Sequence, residues 1–170
     1  MSLLREVYEG TPLYRTRPDG SPFRTGVRTV ATMRTEAATV LDPDPGLPGG
    51  VAHRMWCCLS TPLTGVFVPF HAGIRRIEPH YAASGGEFTE HSAYWRFTEL
   101  AKLVDYRYPA CANMVRATWN AFEAETFRDL AAVESHCDGL DAPECATLLT
   151  DFDCRRASAA IRTLQALLRE

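Results

Sequence analysis

The sequence predicts an α+β fold in which antiparallel strands precede a group of C-terminal helices. Two short apolar runs, residues 51–60 and 64–73, are separated only by Thr61-Pro62-Leu63, and a break that short returns the chain beside itself as a β-hairpin. From residue 89 onward, the apolar residues recur at helical spacing instead. Strands that are segregated from helices in this way are typical of α+β proteins.

Length and composition limit the class of protein. The 170 residues are the size of a single domain, with strands expected mainly over residues 27–75 and helices mainly over residues 89–170. The net charge of −3 and the scattered arginines give no reason to expect nucleic acid as a partner. Because no apolar run approaches the roughly 20 residues that span a bilayer, we expect a cytoplasmic protein that does not contact membranes.

The N-terminal elements are predicted from caps and breaks. Ser2 is placed to cap a short helix over residues 3–8. Residues 13–25 are rich in Pro, Gly, Asp and Arg, which predicts a surface loop. Residues 27–41 alternate weakly and are rich in Thr and Val, which favours one strand, or two strands divided by a bulge near residue 33.

The central hairpin is expected to form the middle of the sheet. The strand formed by its first run has apolar residues on both faces, so we expect other parts of the protein to pack against both faces of this strand. The two faces hold Ala52, Arg54, Trp56 and Cys58 on one side, and Val51, His53, Met55, Cys57 and Leu59 on the other. In the second run Pro69 cannot donate to a ladder, so residues 66–68 are predicted to pair and the chain to leave the sheet, or bulge, near Phe70 and His71.

Three helices are predicted to follow the sheet. A helix carrying Trp95 is expected to cover Trp56 of the central strand. The first helix follows possible caps at residues 89–92 and ends near Tyr106, and Pro109 suits the first turn of the second. The third begins with a capping box formed by Asp141 and Glu144.

Several short motifs occur in a fixed order along nearly the whole chain. The most specific are Tyr8-Glu9-Gly10-Thr11-Pro12, Trp56, Val68-Pro69, Ser92-Ala93-Tyr94-Trp95 and Leu149-Thr150-Asp151-Phe152. Together they resemble the C-terminal half of bacterial cysteine dipeptidases of the N-terminal-nucleophile (Ntn) hydrolase superfamily. The resemblance implies part of an αββα sandwich and a parent activity that hydrolyses dipeptide amide bonds through an acyl-cysteine intermediate, without a cofactor.

The sequence does not identify a nucleophile. In the family that the chain resembles, the nucleophile is a cysteine at the mature N-terminus, and its own α-amino group is the general base. No cysteine lies near the start of this sequence, and Ser2 is better explained as a helix cap. We therefore expect a subunit or fragment that is inactive alone and assembles as a homo-oligomer or with a complementary chain carrying an N-terminal Cys. The alternative is a non-catalytic binding or scaffold domain that retains the fold.

Arg28 is a candidate for a supporting catalytic role, and Arg34 and His71 are candidates for contact with a small peptide substrate. The resemblance matches Arg28-Thr29-Val30 to the start of a strand after a loop, where an arginine could hold a carboxylate or stabilise a thiolate. A strand-end ion pair explains Arg28 equally well. Arg34 would face the cleft instead if a one-residue bulge intervened. His71 is the other substrate-binding candidate, because loops at the exit of the hairpin can line a cleft.

Other reactive side chains are better explained by packing. His53, Cys57 and Cys58 match no zinc-binding spacing, so no metal site is expected, and the six cysteines are interpreted as reduced and mostly buried. Cys111 is assigned to a buried helical stripe rather than to a pair with His71 or His136.

Two acidic residues near the C-terminus are expected to be solvated. Asp151 and Asp153 flank Phe152 on a predicted helix, too close in sequence to face each other and with no acid/base partner in sight.

Overall fold

Three antiparallel strands followed by helices confirm the predicted α+β class. The structure is a computed structural model that describes residues 1–48, 51–83 and 85–170. The strands form one sheet in the order β1-β2-β3, where β1 is Ala37–Pro43, β2 is His53–Leu59 and β3 is Val68–His71. The helices are α1 (Pro79–Ala82), α2 (Ala93–Tyr106), α3 (Tyr108–Ser135) and α4 (Ala142–Leu167).

The predicted hairpin is present and its second strand ends at His71 as expected, but residues 66 and 67 lie outside that strand and Pro69 lies within it. β3 begins at Val68 and includes Pro69, which lies opposite Trp56. The N–H of Ala72 donates to the carbonyl of His53, and hydrogen-bonded pairs alternate with non-hydrogen-bonded pairs along an antiparallel ladder. Trp56 and Pro69 therefore form a non-hydrogen-bonded pair, and the proline removes no ladder bond.

The N-terminal third is less regular than predicted. A four-residue 3-10 turn, Ser2–Arg5, replaces the expected helix and has no side-chain cap. Residues 27–36 form no strand, and β1 begins only at Ala37. Threonine side chains in this segment bond to nearby backbone, as in the bond from Thr29 Oγ1 to the carbonyl of Ala31. Such local bonds compete with a strand ladder.

The three long helices begin where the sequence signals predict. Ser92 is the N-cap of α2, and Pro109 lies in the first turn of α3. Asp141 and Glu144 form a reciprocal capping box at the start of α4. These local signals depend on neighbours within one turn, which is why they could be predicted without the tertiary structure.

Trp56 is buried, but not beneath the helix that was expected to cover it. It packs with Leu130 of α3 and Phe152 of α4, and its ring centroid lies 4.5 Å from that of Phe127. Trp95 on α2 instead donates its Nε1–H to the carbonyl of Gly85 at 3.2 Å. The predicted contact between α2 and Trp56 is therefore wrong, because α3 and α4 cover this face of the sheet.

The opposite face of the sheet is covered only in part. Val68 of β3 joins the core formed by α2, α3 and α4, and Leu59 packs against that core. Towards β1 the cover ends, and Met55 is 37% exposed and Leu41 is 77% exposed. The expectation of cover on both sides of the central strand is thus correct near its end and wrong near its start.

Candidate functional site

Arg28 and Arg34 line the same cavity. This cavity, named here the arginine cavity, has a volume of about 550 Å³ and is formed by side chains within residues 22–34. Arg24 lines it as well, and all three arginines are exposed. Within the described parts of the chain, Arg28 and Arg34 form no ion pair, whereas Arg24 lies 3.9 Å from Asp105.

Buried anchors on both sides of the arginines hold this loop in place. Phe23 is 2% exposed and meets the ring of Tyr108 edge-on, with centroids 6.3 Å apart. Ala31 is fully buried, and its N–H donates to the carbonyl of Glu6 at 3.2 Å. Because the loop is fixed at these two points, the arginines between and beside them remain on the outer side.

The arginine cavity is chemically suited to a carboxylate. Its lining includes three guanidinium groups and no Asp or Glu. A guanidinium presents a planar fork of N–H donors that matches the two oxygens of a carboxylate. The one-residue bulge considered for Arg34 is unnecessary, because Arg28 and Arg34 line the cavity together without a strand between them. The supporting catalytic role of Arg28 and the substrate-binding role of Arg34 stay predictions.

His71 lies elsewhere, in a buried ionic network. Its side chain has no exposed surface, and its ring Nδ1 is 3.0 Å from Asp153 Oδ1. The backbone N–H of His71 donates to the other oxygen of Asp153 at 2.7 Å. Its ring Nε2 is 3.2 Å from Glu134 Oε1. His71 does not line the arginine cavity. A substrate would contact its buried side chain only if the surrounding ionic network opened.

The network joins all three strands to two helices. Asp42, Arg54 and His71 are successive cross-strand neighbours on β1, β2 and β3. Arg54 Nη2 lies 2.5 Å from Asp42 Oδ2, and the other terminal nitrogen of Arg54 bonds to Glu134. Named here the His71 network, it consists of Asp42, Arg54, His71, Glu134 and Asp153.

Asp153 corrects an expectation about the C-terminal helix. It is fully buried against His71, and only Asp151, which pairs with Arg76, is exposed to solvent. The helical spacing contains the signal, since Asp153 lies four residues from both Leu149 and Ala157, which are fully buried. A carboxylate on an apolar stripe indicates a buried partner, and β3 supplies that partner.

The two carboxylates favour the charged form of His71. Burial opposes the charge, but the hydrogen bonds to Asp153 and Glu134 outweigh it and raise the pKa of His71 from 6.5 to about 9. Both ring nitrogens lie within hydrogen-bond distance of a carboxylate oxygen, and only a doubly protonated ring can donate to both. Burial also raises the pKa of Asp153, and the bonds from His71 oppose that effect.

Four of the six cysteines have thiols whose pKa is raised by burial. Burial raises the pKa of Cys57, Cys58 and Cys154, and burial together with a side-chain hydrogen bond to Cys145 raises the pKa of Cys137 to about 12. Cys111 packs in the core as predicted. Across the described ranges, no group of three or more His, Cys, Asp or Glu is arranged to hold a metal ion.

Comparison with known proteins supplies the family. No curated protein matches the chain. None of the helices described is both long enough and apolar enough to cross a lipid bilayer. A family model described as peptidase family C69 matches residues 1–121, which include the whole sheet, the arginine cavity and the first part of α3. Because the match covers more than half of the 170 residues, this chain belongs to peptidase family C69, a family of cysteine peptidases.

Proposed function

We propose that this chain is the substrate-binding part of a dipeptidase-like hydrolase of the Ntn superfamily, corresponding to the C-terminal half of a longer enzyme. The observation that carries the proposal is the position of the arginine cavity within residues 1–121, the part that matches peptidase family C69. A dipeptide ends in a carboxylate at neutral pH. Arg28 and Arg34 would bind that carboxylate and orient the scissile amide bond.

The nucleophilic cysteine is proposed to come from another segment or chain. The thiols whose pKa is raised by burial are poor nucleophiles, which supports this assignment. In the proposed reaction the incoming thiolate attacks the amide carbonyl, the amine leaves with a proton, and water hydrolyses the resulting thioester. Arg28 would support this chemistry by holding the substrate, or by stabilising the thiolate through its charge.

The free edge of the sheet supports the proposal that this chain assembles with a second chain. β1 pairs with β2 along one edge, and within the described ranges its other edge has no strand partner. Unpaired strand edges and exposed apolar residues such as Leu41 favour association with another chain. We propose a homo-oligomer or a complex with a complementary chain that carries an N-terminal Cys. All six cysteines are free, which supports a reducing, cytoplasmic compartment.

A non-catalytic binding domain is the second candidate function. The observation that favours it is that burial raises the pKa of four of the six thiols, which makes those four poor nucleophiles. Such a domain would use the same arginine cavity to bind a peptide carboxylate without cleaving it. Hydrolysis by the chain together with a partner that supplies the N-terminal Cys would exclude this candidate.

Calorimetric titration of the chain with Ala-Ala and with its C-terminal amide tests carboxylate recognition. Ala-Ala should bind about tenfold more tightly, since a charge-assisted bond contributes roughly 1.5–3 kcal/mol. Arg28→Gln and Arg34→Gln should remove this difference, whereas Arg169→Gln, an exposed arginine outside the family match, should preserve it. Equal affinities for the acid and the amide would rule out the arginine cavity as a carboxylate site.

A hydrolysis assay by chromatography tests the assignment of the nucleophile. The isolated chain should release no more alanine from Ala-Ala than a control that contains buffer alone. Turnover that Ser2→Ala abolishes would place the nucleophile at Ser2, and turnover that survives that change would place it elsewhere in this chain.

A further inference from the structure

A second cavity adjoins the arginine cavity. Its volume is about 620 Å³, and three residues line both cavities: Arg24, Met33 and Arg34. The remaining residues that line it are Thr35, Glu36, Ser60, Tyr94, Thr98 and Lys102. It is named here the Ser60 cavity. A ligand held by the shared arginines could therefore extend from one cavity into the other.

Ser60 has an unusual backbone conformation at the wall of this cavity. It is 5% exposed, follows the last residue of β2 and has a φ of 63°, in the left-handed region that non-glycine residues seldom adopt. Its N–H donates to the carbonyl of Glu36 at 2.7 Å, which ties the end of β2 to the segment before β1. Strained residues that are held in this way concentrate at binding and catalytic sites.

Thr98 contributes a hydroxyl that lacks a partner. Its Oγ1 is buried and forms no hydrogen bond with any residue that the structure describes, although Thr98 lines the Ser60 cavity. A buried hydroxyl without a partner is unfavourable, and a hydrogen-bond acceptor in the cavity would remove that cost. Rotation of the Thr98 side chain about χ1 would bring this hydroxyl to the cavity, where a ligand would supply the acceptor.

The charges around the two cavities favour an anionic ligand. The cavities together are lined by four cationic side chains and one carboxylate, which belongs to Glu36. Lys102 is exposed, and like Arg34 it forms no ion pair within the described ranges. This concentration of positive charge occurs on a chain whose net charge is −3. It is therefore a local feature and not a consequence of composition.

We propose that the Ser60 cavity binds the acidic side chain of a dipeptide whose C-terminal residue is Glu or Asp. The proposal rests on the proposed function, in which the arginine cavity holds the terminal carboxylate of the same residue. Lys102 and Arg34 would neutralise the side-chain carboxylate, and the hydroxyls of Ser60 and Thr98 would donate to its oxygens. Met33 would contact the methylene groups of the ligand.

Titrations of the full chain with Ala-Glu, Ala-Gln and Ala-Ala test the proposal. Ala-Gln has nearly the same shape as Ala-Glu and lacks its side-chain charge, so the comparison isolates the charge. At low ionic strength Ala-Glu should bind about fivefold more tightly than Ala-Gln, and added salt should reduce this preference. Lys102→Gln should weaken the preference and Lys102→Arg should preserve it.

The variant Thr98→Val separates binding from folding. It removes a buried hydroxyl that lacks a partner and nearly preserves the shape of the side chain, so it should not lower the urea midpoint of unfolding. It should nevertheless reduce the preference for Ala-Glu. A purely structural role for Thr98 would change the urea midpoint and leave the preference intact.

The outcomes distinguish this inference from the proposed function. Equal binding of Ala-Glu and Ala-Gln, or a preference that persists in the double variant Lys102→Gln/Thr98→Val, would overturn the assignment of the Ser60 cavity. In that case, binding of Ala-Ala with its dependence on Arg28 would leave the proposed function standing. If none of the three dipeptides binds, both proposals are wrong.

Discussion

The arginine cavity and the His71 network differ in whether their charged side chains are paired with other residues of the protein. In the arginine cavity, Arg28 and Arg34 extend from a loop, exposed and without ion pairs in the described structure. In the His71 network, every charged group has a partner, and His71 and Asp153 have no exposed side-chain surface. Charges that lack a protein partner are available to a ligand, whereas charges that are buried in pairs contribute to the fold. Substitutions in the two regions should therefore separate binding from stability.

The largest effect is expected at the apolar side chain beside the network. Trp56→Ala should lower the free energy of unfolding by about 3–5 kcal/mol, because a buried aromatic side chain is replaced by a cavity. Urea denaturation followed by circular dichroism measures the change. Trp95→Ala is the control and should cost less, since Trp95 is only partly buried. A larger loss from Trp95→Ala would mean that the region around Trp56 is not the main support of the sheet.

Asp153→Asn should cost about 3 kcal/mol of unfolding free energy. It replaces one of the two carboxylates that pair with the buried ring of His71 by a neutral amide, and breaking a buried ion pair is more costly than removing an exposed one. The matched control is Asp151→Asn, two residues away, whose exposed pair with Arg76 should contribute about 0–1 kcal/mol. Equal urea midpoints for the two variants would contradict the difference drawn here between buried and exposed charge.

Stability should also fall as the pH rises from 7 to 10. The pKa of His71 is raised from 6.5 to about 9, so its contribution is complete below pH 6.5 and is lost as the pH passes through about 9. We expect a loss of about 2 kcal/mol over this range, measured by urea denaturation at several pH values. The Asp153→Asn variant should show a flatter dependence. A slope identical to that of the parent would assign the effect to other groups.

The smallest effect on stability is expected in the arginine cavity. Arg28→Ala should change the free energy of unfolding by about 0–1 kcal/mol, because the exposed side chain forms no ion pair with the residues described. Its thermal melting point should stay within a few degrees of the parent, while its affinity for Ala-Ala falls. Collapse of this variant would indicate that Arg28 is a structural residue, which would remove the contrast between the two regions.

The parts of the fold that were predicted correctly depend on neighbours in sequence. The capping box of Asp141 and Glu144 and the helix start at Pro109 involve only residues within one turn, so their patterns suffice. The hairpin was predicted because its two apolar runs are separated in the sequence by only three residues. Pro69 was misjudged because its effect depends on whether it falls at a hydrogen-bonded pair, and that depends on the register between strands.

The candidate site was only partly accessible to sequence reasoning. Arg28 and Arg34 were singled out, but the sequence could not show that a loop without regular structure would bring them to one cavity. The Thr-rich composition of residues 27–36 suits a strand and local turns equally well. Asp153 was missed although its spacing from Leu149 places it on the buried stripe. Ser60 had no signal, because its conformation follows from how β2 ends.

Because most of its cysteines are buried, the rate at which each thiol is alkylated measures how often the structure around it opens. Five of the six thiols are buried and only Cys57 is partly accessible, so a thiol-alkylating reagent can modify the other five only after the surrounding structure opens. These five thiols lie in β2, at the start of α3, in the turn after α3 and along α4. Labelling of Cys137 and Cys145 before Cys111 would reveal that the α3–α4 turn opens independently of the main core. The order in which the six thiols react would thus give a kinetic map of which elements separate first.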